Sequence, residues 1–179
     1  MSKNRPLTHP DTHRQAKKQI MKEYQFVVYR LQKLSILLRI LGFDVLCFQN
    51  KDYISVINLT KKEKRILLSR VKFLRKLPWI CYLKEDDLDE QLKQIIDELK
   101  LKVKKDNLFT RCSSCNSILQ EIQEEKVKEE IPSDVCGKGY WFKRCINCRK
   151  IFWNGNHMPT LKEKLRKIGV IGEKDEDIR

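Results

Sequence analysis

No apolar run of this chain reaches the length of a membrane span, since "LSILLRILGF" is short and broken by Arg39. The start is basic but no uninterrupted apolar core follows it, so a secretory signal is not expected. The cysteines do not form an even set: there are seven, and four fall in two Cys-x-x-Cys pairs. That pattern reads as metal binding in a reducing interior rather than a disulfide scaffold. No internal repeat exists beyond the two pairs. Acids are missing where bases gather: residues 138–150 hold five Lys/Arg and no acid, and residues 61–76 hold eight Lys/Arg and one acid.

The 179 residues can hold one ordinary domain with a small appendage, or one slightly large domain. With 41% hydrophobic and 35% charged residues, a packed core is feasible. The net charge of +14 favours polyanionic partners, with RNA or DNA ahead of an anionic membrane. Residues 1–40 carry nine Lys/Arg against two acids. This stretch reads either as a presequence, whose address would be mitochondrial, or as a plain basic arm. Either way the expected location is intracellular, mitochondrial matrix or cytoplasm, and not secreted.

Residues 1–23 read as a basic arm. "YQFVVY" is a short buried strand. "RLQKLSILLRILG" then places Leu31, Leu34, Leu37, Leu38 and Leu41 at helical spacing, and Gly42 supplies the stop. "FDVLCF" is a second strand, 52–64 a helix of modest propensity, and "RILLS" a third strand. A short basic segment leads to "PWICYL", the fourth strand, and "DDLDEQLKQIIDELKL" is an amphipathic helix that opens with acids at its positive end. Cys47 and Cys81 sit in strand-like runs as small buried hydrophobes. Alternating strands and helices over 24–102 predict an α/β fold with a mainly parallel sheet, whose functional crevice lies beyond the carboxyl ends of the strands.

"RCSSCNSIL" and "KRCINCRKIFW" place the two Cys-x-x-Cys pairs at the bases of β-hairpins about thirty residues apart. Two residues between ligands let one tight turn aim both thiolates at one ion, and zinc accepts four such ligands tetrahedrally. Cys112, Cys115, Cys145 and Cys148 are therefore the expected ligands of one zinc ion in a ribbon over 109–157. Four thiolates leave no position for water, so the ion is expected to be structural. His157 and Cys136 are possible substitutes for one ligand. Arg111, Lys143, Arg144, Arg149 and Lys150 flank the site, with Trp141, Phe142, Phe152 and Trp153 interleaved. That mixture suits phosphate contact with base stacking, although Phe142 and Phe152 fit the ribbon's own small core better. A basic helix and an acidic tail close the chain over 158–179.

The segments "LSILLRILGFDV", "RILLSR", "DDLDEQL", "RCSSCNSIL", "IPSDV", "RCINCRKIFW" and "WNGNH" resemble the Mut-seven C-terminal RNase family, a PIN-like nuclease fold with an appended zinc ribbon. The resemblance covers about 24–160 and implies a metal-dependent ribonuclease, with acids at the strand ends holding magnesium or manganese. The family pattern wants an Asp after the first strand, where this chain has Tyr29, and another after the third, where it has Val71. Neither side chain can replace a carboxylate for a hard cation. If the site is active, Asp52, Asp86 and Asp87 are the acids left to serve it, with Asp44 near the start of the second strand; Asp86 and Asp87 also read as helix N-terminal charges. Bases have gathered instead: Lys61, Lys62, Lys64, Arg70, Lys72, Arg75 and Lys76 form a candidate phosphate-binding surface. The favoured expectation is a non-catalytic RNA-binding protein that contacts ribosomal RNA and neighbouring subunits of a ribosome or other ribonucleoprotein. The alternative is an active metal-dependent ribonuclease.

Overall fold

The computed structural model describes residues 25–50, 52–155 and 157–170, without the side chains of Lys105 and His157. The basic arm over 1–23 and the acidic end of the tail lie outside the described residues. Four strands, β1 (Gln25–Tyr29), β2 (Asp44–Phe48), β3 (Ile66–Ser69) and β4 (Ile80–Tyr82), form a fully parallel sheet in the order β2-β1-β3-β4. The registry sets Val27 beside Leu46 on one side and Leu67 on the other. The near-continuous apolar character of β1 and β3 follows from burial on both faces, as parallel sheets require. Phe26 and Val28 point to one face, and Val27 and Tyr29 to the other.

Helices α1 (Gln32–Ile40) and α3 (Leu88–Leu99) cover the first face with Leu34, Leu37, Leu38, Leu92, Ile95 and Leu99. Among the described residues, the second face carries α2 (Tyr53–Lys62) and a 3-10 turn over Lys72–Lys76, which bring Val56 and Leu74 against Tyr29 and Leu67. Three further strands, β5 (Leu119–Ile122), β6 (Phe142–Cys145) and β7 (Ile151–Trp153), form an antiparallel sheet. The segment between β5 and β6 closes its own small core from Val127, Ile131, Val135 and Phe142.

Helix α4 (His157–Lys167) is more than a basic extension. Its Met158 and Leu165 enter the same apolar cluster as α1 and α3, and Leu165 is 1% exposed. Lys164 pairs with Asp89 of α3 at 2.6 Å. The sequence shows the charge of this helix plainly, whereas the two apolar anchors, seven residues apart, are a sparse signal.

Gly42 fixes the exit from α1. Its φ of +89° lies in the left-handed region, and the Phe43 N–H donates to the Leu38 carbonyl at 3.0 Å, closing the end of the helix. A Cβ at this position would overlap the carbonyl of Asn107, in the segment that crosses the helix end. The same crossing is tied by the Phe109 N–H, which donates to the Ile40 carbonyl at 2.9 Å. Gly42→Ala combines an unfavourable φ with a backbone clash and is expected to cost roughly 2–4 kcal/mol, read as a lower urea midpoint at unchanged m-value.

Candidate metal centre and nucleic-acid interface

The two cysteine pairs build matching turns. Cys115 N–H donates to Cys112 Sγ at 3.5 Å, and Cys148 N–H to Cys145 Sγ at 3.4 Å. Each turn is closed by a residue of positive φ, Asn116 at 70° and Arg149 at 63°, whose N–H donates to the carbonyl of the first cysteine. The four sulfurs lie within 4.8 Å of one another, with Cys112 and Cys148 at 3.6 Å and Cys115 and Cys145 at 3.3 Å. A tetrahedral ion with metal–sulfur bonds of ~2.3 Å holds its sulfurs ~3.8 Å apart, so the cage has the size such an ion needs. Burial pushes the Cys112 thiol up to about 12. For Cys115 burial acts in the same direction, but hydrogen bonds from Ser117 and the neighbouring thiols Cys145 and Cys112 outweigh it and bring the group down to about 5. Cys136 stands apart from the cage, donating to the Pro132 carbonyl. His157 lies outside the described side chains.

The first turn is fastened to the parallel sheet through a buried arginine. Arg39 of α1 donates from Nε and Nη2 to the Val45 carbonyl at 3.0 and 2.9 Å, and from Nη1 to the carbonyls of Ser113 and Ser114 at 3.0 Å each. Asn116 completes the contact: its Oδ1 accepts from the Val45 N–H at 3.0 Å and its Nδ2 donates to Asp44 Oδ1 at 2.8 Å. Asp44 also accepts from both terminal nitrogens of Arg65 at 3.1 and 3.2 Å. Burial would raise the Asp44 pKa, but the hydrogen bonds from Arg65 and Asn116 win and hold the carboxyl below its ordinary range.

Most of the basic residues around the cage are already engaged. Arg111 donates to the Asn116 carbonyl at 3.1 Å, and Lys143 donates to the Phe109 carbonyl at 3.3 Å with its ammonium over the Trp141 ring. Arg144 pairs with Glu130, and Lys150 donates to Ser114 Oγ at 3.1 Å. Arg149 is exposed. The segment 61–76 differs. Lys61, Lys62, Lys64, Lys72 and Lys76 are exposed and have no ion-pair partner among the described residues. Arg75 lies over the Tyr82 ring, and Arg70 pairs with Asp86.

At the carboxyl end of the sheet, β1 and β3 end in Tyr29 and Ser69. Tyr29 turns into the core at 3% exposure, and Ser69 Oγ donates to the Tyr29 carbonyl at 3.4 Å and accepts from the Val71 N–H at 3.2 Å. Asp52 caps α2 by accepting from the Ser55 N–H at 3.0 Å, and this hydrogen bonding holds its pKa low. Asp87 caps α3, accepting from Asp89 and Glu90 N–H at 2.9 and 3.1 Å. Among the described residues, the four cysteines are the one group of three or more His, Cys, Asp or Glu side chains placed to share an ion.

Sequence reasoning missed three residues here. Arg30 follows β1 directly, is exposed, and holds a φ of +62° that a bulky residue rarely adopts. Tyr53 and Phe73 form an exposed edge-to-face pair with ring centroids 4.8 Å apart. The interleaving of aromatics with bases that drew attention to the ribbon was equally present in "RVKFLRK".

Asp44→Asn removes one of the two carboxylates that pair with the buried Arg65, leaving Glu63, and is expected to cost about 1–3 kcal/mol at neutral pH. Because the Asp44 pKa is depressed on folding, its contribution is present above the ordinary carboxylate range and is lost as pH falls through the folded value. Urea midpoints of the two proteins are therefore expected to converge on acidification.

A family model for the Mut7-C RNAse domain matches residues 25–165, from the first residue of β1 to the last turn of α4. No curated protein and no solved structure matches the chain. A family of ribonuclease type carries an RNA-related role with it. The parallel sheet, the four-cysteine centre and the helix that returns to the core all fall inside the matched span, and the chain belongs to the Mut7-C RNAse domain family.

Proposed function

We propose that the protein binds RNA without cutting it, as a fixed component of a ribosome or another ribonucleoprotein. Ribosomal RNA and neighbouring subunits are its partners in this reading, and the place of action is the mitochondrial matrix or the cytoplasm, where thiols stay reduced. The carrying observation is the engagement of the candidate acids. Asp52 and Asp87 are spent as helix caps and Asp86 is paired with Arg70, while the ends of β1 and β3 lead into Arg30 and Arg70. A site for a hard cation needs carboxylates that converge, and among the described residues these three form no such group. The charge of +14 supplies the attraction for a polyanion. Among the described residues no helix is long and apolar enough to cross a membrane.

The cysteine centre takes a structural zinc ion in this proposal. Four thiolates at tetrahedral spacing suit zinc, and the closed shell leaves no place for a reacting water. The ion's work is to hold the two turns together and, through the first of them, to keep the ribbon on the sheet.

The competing reading, a magnesium- or manganese-dependent ribonuclease, is favoured by the family's own name and by the position of Asp52 and Asp86 after β2 and β4, at the carboxyl end of the sheet. Purified protein incubated with labelled RNA and manganese is expected to leave it intact. Cleavage that disappears in Asp52→Asn or Asp86→Asn would overturn the non-catalytic reading. Elemental analysis is expected to give about one zinc per chain, and chelation to unfold residues 109–157.

A further inference from the structure

We propose that Tyr53 and Phe73 form a stacking platform for unpaired bases, so that the RNA gripped by this face is single-stranded. The inference rests on the RNA-binding reading above and specifies the form of RNA and the surface that takes it.

Tyr53 opens the helix that follows β2, and Phe73 lies in the turn that follows β3. Both rings are therefore carried by segments that leave the two strands flanking β1, on the carboxyl side of the sheet where the strand order reverses. Both rings are exposed, Tyr53 at 41% and Phe73 at 57%, and Ile54, the neighbour of Tyr53 in the chain, is at 59%. Their edge-to-face contact at 71° fixes two ring planes in different directions and leaves ring surface open on each. Exposed aromatics of this kind serve a chain whose bases are unstacked; in a duplex the base faces already cover one another.

The charge around the pair selects the occupant. Residues 64–76 hold six Lys/Arg and no acid. Lys72 and Lys76 lie on the same short turn as Phe73, exposed and without an ion-pair partner among the described residues. Beyond them a groove of about 320 Å³ is lined by Arg75, Lys76 and Lys84 on one course with Tyr82, and by Glu98 at its side. Asp52, next to Tyr53 in the chain, directs its carboxylate to the N–H of Ser55 as a cap. Apolar rings set within free cations match a strand that offers π-faces and phosphates together. A protein surface complementary to this patch would have to bring an acidic rim around an apolar centre.

The test uses the full chain, with fluorescence anisotropy of a labelled oligouridine and of a labelled RNA duplex across a salt series. Tyr53→Ala/Phe73→Ala is expected to weaken oligouridine binding about tenfold or more while leaving duplex binding and the salt slope unchanged. Lys72→Ala/Lys76→Ala is expected to weaken both probes and to flatten the salt dependence. Tyr53→Leu/Phe73→Leu, which keeps the apolar bulk, should behave as the alanine pair does, separating ring stacking from folding. Unchanged oligouridine affinity in the aromatic variants would overturn the platform and leave this face to a protein partner, with the RNA-binding reading intact. Failure of the parent protein to bind either probe would overturn both.

Discussion

A guanidinium placed among leucines on α1 is tolerated only when every N–H it turns inward finds an acceptor, and Arg39 finds three carbonyls from two separate parts of the chain. One belongs to β2 and two to the first cysteine turn. The fit is reciprocal. A turn tight enough to aim two thiolates at one ion leaves the Ser113 and Ser114 carbonyls without a strand partner, and the arginine takes up both. Burial pulls the Arg39 pKa down while the neighbouring Cys47, Cys112 and Cys115 sulfurs favour its charge. The sheet and the metal cage thus share one polar junction, and loosening either end exposes the other's unsatisfied groups.

The charge economy of the ribbon follows from the same junction. Four thiolates around a divalent ion would make a net negative centre, and the chain places cations around the four cysteines: Arg39, Arg111 and Lys150 each donate to backbone or hydroxyl groups of the first turn. A cation fixed in this way has already spent donors and mobility. The lysines of 61–76 have no such centre to serve. Proximity of bases to a metal site is therefore weak evidence for a nucleic-acid surface, because the site itself demands them. Bases clustered away from any internal anion carry the stronger implication.

What could be read from the sequence was what depends on local pattern. Leu34, Leu37 and Leu38 mark α1 by spacing, the apolar run of β1 marks a strand buried on both faces, and two Cys-x-x-Cys turns mark a metal cage through bond geometry alone. What could not be read depends on partners far away in the chain. Arg39 looks like an interruption in an apolar helix, and its acceptors lie 74 and 75 residues on. Leu165 looks like one leucine in a basic helix until the cleft between α1 and α3 receives it. Arg144 looks like a phosphate ligand until the loop carrying Glu130 folds beside it. The aromatic pair differs: "RVKFLRK" shows Phe73 among bases, but that its ring stays exposed and meets Tyr53 is a property of the folded surface.

The end of the sheet where the order reverses is a binding place by geometry, since the connections that leave β1 and β3 there pass to opposite faces. What such a crevice does depends on the charge delivered to it. Carboxylates that converge hold a hard cation and activate water; carboxylates turned back onto helix N–H groups stay ionised with an oxygen engaged by the backbone. In this chain Asp52 and Asp87 stabilise α2 and α3 from their N-termini, and Asp86 draws Arg70 to itself. Each of these contacts stabilises the fold at the margin of the crevice. Ser69 then fills the remaining space with a hydroxyl that ties β3 to β1. The crevice is thus kept in shape by interactions that need no ion within it. On the proposed reading, that is how a nuclease-type frame can persist as a binding frame: the strand order supplies the place, the caps remove the acids, and the unpaired lysines beside an open aromatic pair supply the attraction.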